Sequence, residues 1–184
     1  MLILASNSAR RIKLLTDIGL KFKTVVNDVD ESVEKNLKPH EIVEILSERK
    51  ALAALENNPE DTIISADTLV YFEGEVLGKP ANEEEAAEML RKLSSNKHFV
   101  YTGVTIANKN KKVTFYSVSE VFMKELNEIQ IYEYIKTNEP MDKAGAYAIQ
   151  GEGKNLIEKY TGDFFTIVGL PLKELQKHLK AFEY

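Results

Sequence analysis

Apolar residues in the first third of the chain follow two spacings in turn, one typical of strands and one typical of helices. Leu2 to Ala5 is an unbroken apolar run, which predicts a buried strand. Ile12, Leu15 and Ile18 then recur at intervals of three, which predicts a helix. The apolar residues between His40 and Leu55 keep helical spacing over a longer stretch. The start of the chain is therefore predicted to alternate strand and helix.

The middle of the chain carries signals of strands joined by tight turns. The apolar strand Ile63 to Ala66 runs on through Asp67 to the turn sequence Glu73-Gly74-Glu75, after which Val76-Leu77 pairs back. The other predicted elements are a strand at Phe22 to Val26, a hairpin made of Phe99 to Ala107 and Val113 to Met123, helices at Asn82 to Leu93, Asn127 to Lys136 and Pro171 to Phe182, and two short strands on either side of Tyr160 to Asp163. This order predicts an α/β fold with a mixed twisted sheet flanked by helices. We expect a single domain over 1–184 with two lobes around a cleft.

Composition then limits the classes of function. The net charge of −5 argues against broad nucleic-acid or membrane binding, because no basic surface would attract a phosphate backbone. The absence of cysteine excludes disulfides and thiolate chemistry. No apolar run is long enough for a bilayer, and the chain starts directly with a strand rather than a signal peptide. We therefore expect a cytoplasmic protein with no nucleic-acid or membrane partner.

The loop after the first predicted strand is a candidate phosphate site. It contains Ser6-Asn7-Ser8-Ala9-Arg10-Arg11, in which Ser8 is the predicted N-cap of the following helix. Arg10 and Arg11 are unfavourable in a first helical turn, because the helix dipole already makes that end positive. A bound phosphate would resolve this conflict by accepting the backbone N–H groups and both guanidinium groups. The alternative is that the two arginines point into water.

Asp67 interrupts an apolar strand, where a carboxylate is costly to bury without a partner. It is a candidate metal ligand or a base that activates water, and the alternative is an Asp that caps a turn. Lys79 in Gly78-Lys79-Pro80 could return to the same region, although this sequence is not a Walker A loop and a solvated turn lysine is the alternative. For Lys50 on the long helix, and for Glu31 in an acidic stretch, the ordinary interpretations are a snorkelling lysine and a solvated loop.

A run of small residues near the C-terminal third ends in an amide side chain. Asp142-Lys143-Ala144-Gly145-Ala146-Tyr147-Ala148-Ile149-Gln150-Gly151 allows close backbone approach to a neighbour or a ligand. Gln150 offers both a donor and an acceptor, which suits the edge of a nucleobase. The alternative is an ordinary tight turn with a polar flank.

These segments together resemble the Maf family of nucleoside triphosphate pyrophosphatases, and the resemblance extends over nearly the whole chain. The segments that carry it are Leu4-Ala5-Ser6-Asn7-Ser8-Ala9-Arg10-Arg11, Ala66-Asp67-Thr68, Gly78-Lys79-Pro80, Thr102-Gly103-Val104, residues 142–151 and Val168-Gly169-Leu170-Pro171. Ala9 departs from the family pattern, which usually has proline at this first helical position. Six segments in the same order are far more specific than any one of them.

The resemblance implies a Maf/ITPase-like fold, a homodimer and a divalent metal cation, Mg²⁺ or Mn²⁺. It implies hydrolysis of dTTP and UTP, with modified pyrimidine nucleotides as further substrates of a house-cleaning enzyme, to the monophosphate and pyrophosphate by metal-assisted attack of water on the α-phosphate. The implied roles are Asp67 as the base, Glu31 and Asp67 at the metal, Ser6, Arg11, Lys50 and Lys79 at the phosphates, and Arg10, Thr68 and Gln150 in substrate specificity.

Two other classes of function stay open at this point. A non-catalytic regulator of septum formation and cell division would use the same nucleotide pocket, but pure anion binding gains nothing from Asp67 beside the phosphates. A nucleic-acid-binding module has little support in an acidic chain without a basic stripe. The combination of carboxylates and lysines therefore favours an enzyme.

Overall fold

Seven strands form one sheet in the computed structural model, which describes all residues 1–184. The strands are β1 (Leu2–Ala5), β2 (Lys23–Val25), β3 (Thr62–Phe72), β4 (Glu75–Leu77), β5 (Lys97–Ala107), β6 (Lys112–Met123) and β7 (Ile157–Thr161). Their order is β2-β1-β3-β5-β6-β7, with β4 beside β3. β1 is parallel to β2 and β3, whereas β4 is antiparallel to β3 and β7 to β6. The predicted mixed sheet is confirmed.

Six α-helices accompany the sheet, in agreement with the predicted α/β fold. They are α1 (Ala9–Asp17), α2 (Pro39–Asn57), α3 (Glu83–Leu93), α4 (Glu128–Ile135), α5 (Phe164–Val168) and α6 (Leu172–Leu179). Short 3₁₀ helices lie at Glu139–Asp142, Ala144–Ala146, Gly151–Leu156 and Lys180–Phe182. None of the helices combines the length and the apolar character needed to cross a bilayer.

One predicted element is wrong. The second short strand, expected after Asp163, is the helix α5. The Asp163 carboxylate accepts hydrogen bonds from the backbone N–H and the hydroxyl of Thr166, at 2.9 and 3.0 Å. A side-chain acceptor of this kind satisfies free N–H groups at the start of a helix, and it outweighs the strand preference of the aromatic and β-branched residues that follow.

The chain divides into two compact units. The first unit comprises residues 1–68, 102–117 and 169–184, and the second comprises residues 69–101 and 118–168. Strands β3, β5 and β6 therefore contribute residues to both units. The predicted single domain and its cleft stay predictions.

Close contact between α2 and the sheet organises the first unit. Ala51 and Ala54 of α2 pack with Ile3 of β1 and Ile63 of β3, which are paired in register. The Ser65 hydroxyl of β3 donates to the backbone carbonyl of Ser47 at 2.5 Å. Because the α2 side chains at this contact are small or bear a hydroxyl group, the helix backbone approaches the strands directly.

Gly103 of β5 extends the same contact, since a Cβ atom there would overlap the Val43 carbonyl of α2. We expect Gly103→Ala to lower the free energy of unfolding by about 2 kcal/mol, the usual cost of overpacking. Urea unfolding followed by circular dichroism measures the change. Gly78→Ala is the matched control, because nothing lies within 4 Å of the added Cβ. Equal midpoints for the two variants would contradict this account of the α2 contact.

The second unit contains a fully buried histidine. His98 Nε2 lies 2.6 Å from the Tyr147 hydroxyl, while Nδ1 has no hydrogen-bond partner. Burial lowers the pKa of His98 to about 4 from its ordinary value of 6.5. The imidazole is therefore neutral at pH 7, and charging it inside the fold is unfavourable.

This pKa shift predicts that acid destabilises the protein through His98. Between pH 6.5 and 4 the unfolded state binds more protons at this residue than the folded state does, so stability present above pH 6.5 is lost as the pH falls. The loss attributable to His98 is about 3 kcal/mol at pH 4. Urea unfolding of the wild type and His98→Gln at both pH values isolates this contribution from that of titrating carboxylates. A difference between the two proteins that does not change with pH would contradict the prediction.

Candidate active site

The loop between β1 and α1 is held by its own serines. Ser6 Oγ accepts the backbone N–H of Ser8 at 3.1 Å. Ser8 Oγ accepts the backbone N–H of Arg11 at 3.5 Å, which confirms Ser8 as the N-cap of α1. No acidic residue occupies the first turn of α1. The positive end of the helix therefore has no anionic side chain of its own, as the sequence predicted.

Arg11 does not point into water, so this alternative is wrong for Arg11. Its Nε donates to the Gly169 carbonyl at 2.8 Å, and its Nη2 donates to Thr68 Oγ1 at 3.0 Å. Nη1 lies at the longer distance of 3.5 Å from Ser6 Oγ. Burial lowers the pKa of Arg11 to about 10, while the nearby Asp67 carboxylate opposes the shift. The guanidinium group is charged at neutral pH and is fixed in orientation by two acceptors, the Gly169 carbonyl and the Thr68 hydroxyl.

Thr68 is the centre of a small hydroxyl network around Arg11. Its Oγ1 lies 2.9 Å from Oγ1 of Thr102, which is fully buried on β5. Gly169 has φ of +116°, and a Cβ there would lie 3.1 Å from Thr68 Oγ1. Thr102 and Gly169 both lie in sequence segments that indicated the family, but the sequence alone gave neither residue a role. The sequence signal that could have identified Thr102 is its position as a polar residue within an apolar strand.

Lys50 forms ion pairs with both predicted metal-binding carboxylates. Its Nζ lies 2.6 Å from Asp67 Oδ1 and 2.9 Å from Glu31 Oε1. The side chains of Lys50 and Asp67 are only 20% and 16% exposed, whereas Glu31 is 64% exposed. Burial disfavours the Lys50 ammonium, but the two carboxylates together outweigh this effect and raise its pKa. Lys50 therefore does not snorkel, and Asp67 has the partner that its position in the strand requires.

Asp67 and Glu31 could hold a divalent cation together. Both supply carboxylate oxygens, and a single ammonium group already reaches both of them. Mg²⁺ commonly binds one or two carboxylates and completes its coordination with waters and phosphate oxygens. No group of three or more His, Asp or Glu side chains forms a site that could hold a metal ion. The residues therefore fit a cation that is shared with a phosphate substrate.

The remaining predicted residues occupy different parts of the chain. Arg10 is the second residue of α1 and is half-buried. Lys79 is exposed in the second unit, after β4. Gln150 is also an exposed residue of the second unit, immediately before the 3₁₀ helix Gly151–Leu156. The first unit thus brings together two groups, Arg11 with Ser6 and Thr68, and Lys50 with Asp67 and Glu31.

Comparison with known proteins identifies the family of the chain. Residues 1–182 match the family model of the Maf-like protein. The chain belongs to the Maf-like family. This membership confirms the family that the six sequence segments indicated. The solved structure of the Staphylococcus aureus Ham1 protein has the same fold, with a TM-score of 0.55 and 17% identity over 98% of each chain.

Relatives in the Maf-like family match the chain over almost its full length. A dTTP/UTP pyrophosphatase of Bacillus cereus (strain G9842) is 46% identical over 182 residues, which cover 99% of this chain and 95% of the relative. A dTTP/UTP pyrophosphatase of Bacillus velezensis (strain DSM 23117 / BGSC 10A6 / LMG 26770 / FZB42) is 47% identical over 181 residues, which cover 98% of this chain and 96% of the relative.

The Arg11 network predicts that a lysine cannot replace the guanidinium group. Arg11→Lys keeps the charge but cannot donate to Gly169 and Thr68 in the same geometry. We expect the free energy of unfolding to fall by about 2 kcal/mol, because a charged donor and its partly buried acceptors lose their hydrogen bonds.

Urea unfolding of Arg11→Lys measures this change, with Arg91→Lys as the control. Arg91 donates to two exposed carboxylates, Glu84 and Glu128, and such surface pairs contribute about 0.5 kcal/mol. If the Arg11 substitution were no more costly than the Arg91 substitution, the structural importance assigned to the Arg11 contacts would be wrong.

Proposed function

We propose that this protein is a nucleoside triphosphate pyrophosphatase that hydrolyses dTTP and UTP to the monophosphate and pyrophosphate. The observation that carries the proposal is the Lys50 ammonium held by Asp67 and Glu31. Thr68, which follows Asp67 on β3, accepts a hydrogen bond from Arg11 of α1, so a second cation lies near the Asp67 carboxylate. The names of the relatives, dTTP/UTP pyrophosphatases at 46% and 47% identity, support the same activity.

Four side chains are proposed to bind the phosphates, namely Ser6, Arg11, Lys50 and Lys79. Arg11 is anchored through Nε and Nη2, so its orientation is set before a nucleotide binds. Its other N–H groups are the ones that would donate to phosphate oxygens. Lys79 is exposed and can adjust its long side chain to the charge of the triphosphate. Local positive charge of this kind is compatible with a net charge of −5 for the whole chain.

Asp67 is proposed to be the general base. Lys50 donates to Oδ1, and Oδ2 would take a proton from the attacking water. The water oxygen forms a bond to the α-phosphorus, and the bond from that phosphorus to the bridging oxygen breaks. The electron pair of that bond leaves with pyrophosphate, whose charge Lys50 and Lys79 would stabilise.

Glu31 and Asp67 would hold Mg²⁺ or Mn²⁺, which supplies charge neutralisation at the phosphates and lowers the pKa of water. The contacts of Lys50 support this assignment, since its Nζ lies within 2.9 Å of both carboxylates. Lys50, whose ammonium group contacts both carboxylates, would donate to a phosphate oxygen.

Arg10, Thr68 and Gln150 are proposed to select the pyrimidine. Thr68 is fixed by Arg11 and Thr102, so it presents its hydroxyl group in one orientation. Gln150 has an exposed amide that could pair with a base through one donor and one acceptor. Modified pyrimidine nucleotides present the same pairing edge, and we include them in the proposed substrate class. A homodimer and a cytoplasmic location also belong to the proposal.

The non-catalytic regulator of cell division is less well supported. Binding of an anion does not require the Asp67 carboxylate near Arg11 and Arg10, whereas hydrolysis requires an acceptor for the proton of water. The relatives at 46% and 47% identity are named as enzymes. The Asp67 carboxylate therefore favours catalysis over binding alone.

Pyrophosphate release from dTTP, UTP, CTP and GTP, with and without Mg²⁺ or Mn²⁺, tests the proposal. We expect metal-dependent release from dTTP and UTP. Asp67→Asn should lower the rate by at least about a hundredfold, because it removes the proton acceptor and leaves the side chain nearly unchanged in shape. Asp17→Asn, which alters an exposed carboxylate paired with Lys13, is the control.

Each result distinguishes one part of the proposal. No release from any nucleotide by the wild type would exclude the enzyme. Undiminished turnover by Asp67→Asn would exclude Asp67 as the base. If the rate with added Mg²⁺ or Mn²⁺ equalled the rate after a chelator has removed divalent cations, a role for the metal would be excluded.

A further inference from the structure

A glutamate outside the proposed catalytic groups holds the segment that carries Gln150. The Glu139 carboxylate accepts the backbone N–H of Glu152 at 3.2 Å through Oε1 and that of Gly153 at 2.9 Å through Oε2. These N–H groups belong to the start of the 3₁₀ helix Gly151–Leu156, where backbone donors have no partner within the helix. Glu139 therefore anchors the chain on the C-terminal side of Gln150.

Tyr134 extends the same anchor to the N-terminal side of Gln150. Its buried hydroxyl accepts the backbone N–H of Ala148 at 3.1 Å. Burial raises the pKa of Tyr134, and the adjacent Glu139 carboxylate raises it further. Tyr134 therefore keeps its proton, and Tyr134 and Glu139 together hold the two ends of the segment 148–153.

Two glycines permit this closure. At Gly151, with φ of +65°, a Cβ would overlap Glu139 Oε1. At Gly153 a Cβ would overlap the Ala148 carbonyl and approach the Tyr134 hydroxyl to 2.7 Å. The two ends of the segment are therefore in contact, and Gln150 lies between them as an exposed residue.

We propose that Glu139 and Tyr134 are positioning residues that set the pyrimidine preference by fixing the segment from which Gln150 reads the base. This inference rests on the proposed function. An amide on a mobile loop would lose conformational entropy on binding each nucleotide, whereas a closed loop has lost it on folding. A fixed amide also discriminates better between bases, because it cannot move to satisfy a mismatched edge.

The arrangement requires a carboxylate at position 139. Two backbone N–H groups donate to the Glu139 carboxylate, and no lysine or arginine side chain pairs with it, since the nearby Lys143 forms its ion pair with Asp142. A glutamine there would turn an NH₂ group towards one of these donors. Glu139→Gln therefore opens the loop without changing the volume of the side chain.

Steady-state kinetics with dTTP, UTP, CTP and GTP test the inference in Glu139→Gln and Tyr134→Phe. We expect KM for dTTP and UTP to rise about tenfold in each variant, a change that corresponds to the loss of one hydrogen-bonded contact. We expect kcat to change by less than about twofold. The ratio of kcat/KM for dTTP to that for GTP should fall by a similar factor. Glu133→Gln and Tyr132→Phe are the controls, because both alter exposed groups of α4 that bond Lys136, Glu84 and Arg91.

The possible results separate this inference from the proposed function. Folded Glu139→Gln and Tyr134→Phe proteins with the wild-type nucleotide preference would overturn the inference and leave the enzyme intact. An equal loss of kcat for all nucleotides, with KM unchanged, would also overturn it, since that pattern indicates a general structural role. If circular dichroism shows that Glu139→Gln is unfolded, Tyr134→Phe decides the question alone. No hydrolysis by the wild type would overturn the proposed function and the inference together.

Discussion

The direct approach of α2 to the sheet is the constraint on which the candidate catalytic groups depend. Ser65 donates to the Ser47 carbonyl, and Asp67 accepts a hydrogen bond from Lys50. Asp67 lies two residues after Ser65 on the strand, and Lys50 lies three residues after Ser47 on the helix. Glycine at position 103 removes the one Cβ that would push the helix away. Because residues two apart share one face of a strand and residues three apart share one face of a helix, the second polar contact lies on the same side of each element as the first.

Burying a lysine and an aspartate beside each other is costly unless each keeps a hydrogen-bonded partner. The first unit meets this requirement with two carboxylates that differ in exposure. Asp67 is fixed on β3, whereas Glu31 lies on an exposed loop and is the more replaceable of the two Lys50 partners. Arg11 follows the same rule, since a carbonyl and a hydroxyl take two of its donors and leave the rest of the guanidinium group for an anion.

In the second unit, hydrogen bonds hold an exposed loop residue rather than a buried ion pair. Gln150 is exposed, and an exposed residue in a loop has little packing to hold it. Glu139 replaces that packing with hydrogen bonds to backbone N–H groups after Gln150, and Tyr134 accepts a backbone N–H group before it. The proposed catalytic groups are thus oriented by strand and helix geometry, while the proposed base-reading residue is oriented by a partly buried polar network.

The order of strands and helices, the cap at Ser8 and the family were determined by the sequence itself, because they depend on residues that lie close together in the chain or on motifs that can be read directly. The helix α5 was not predicted, since the capping contact of Asp163 outweighs the strand preference of the following residues.

The partners of Arg11 were decided only by the tertiary structure. Gly169 is 158 residues away, and no spacing rule connects positions so distant. The pairing of Lys50 with Asp67, and the closure of the Gln150 loop by Glu139, likewise depend on where whole elements pack, and local sequence patterns carry no information about that packing.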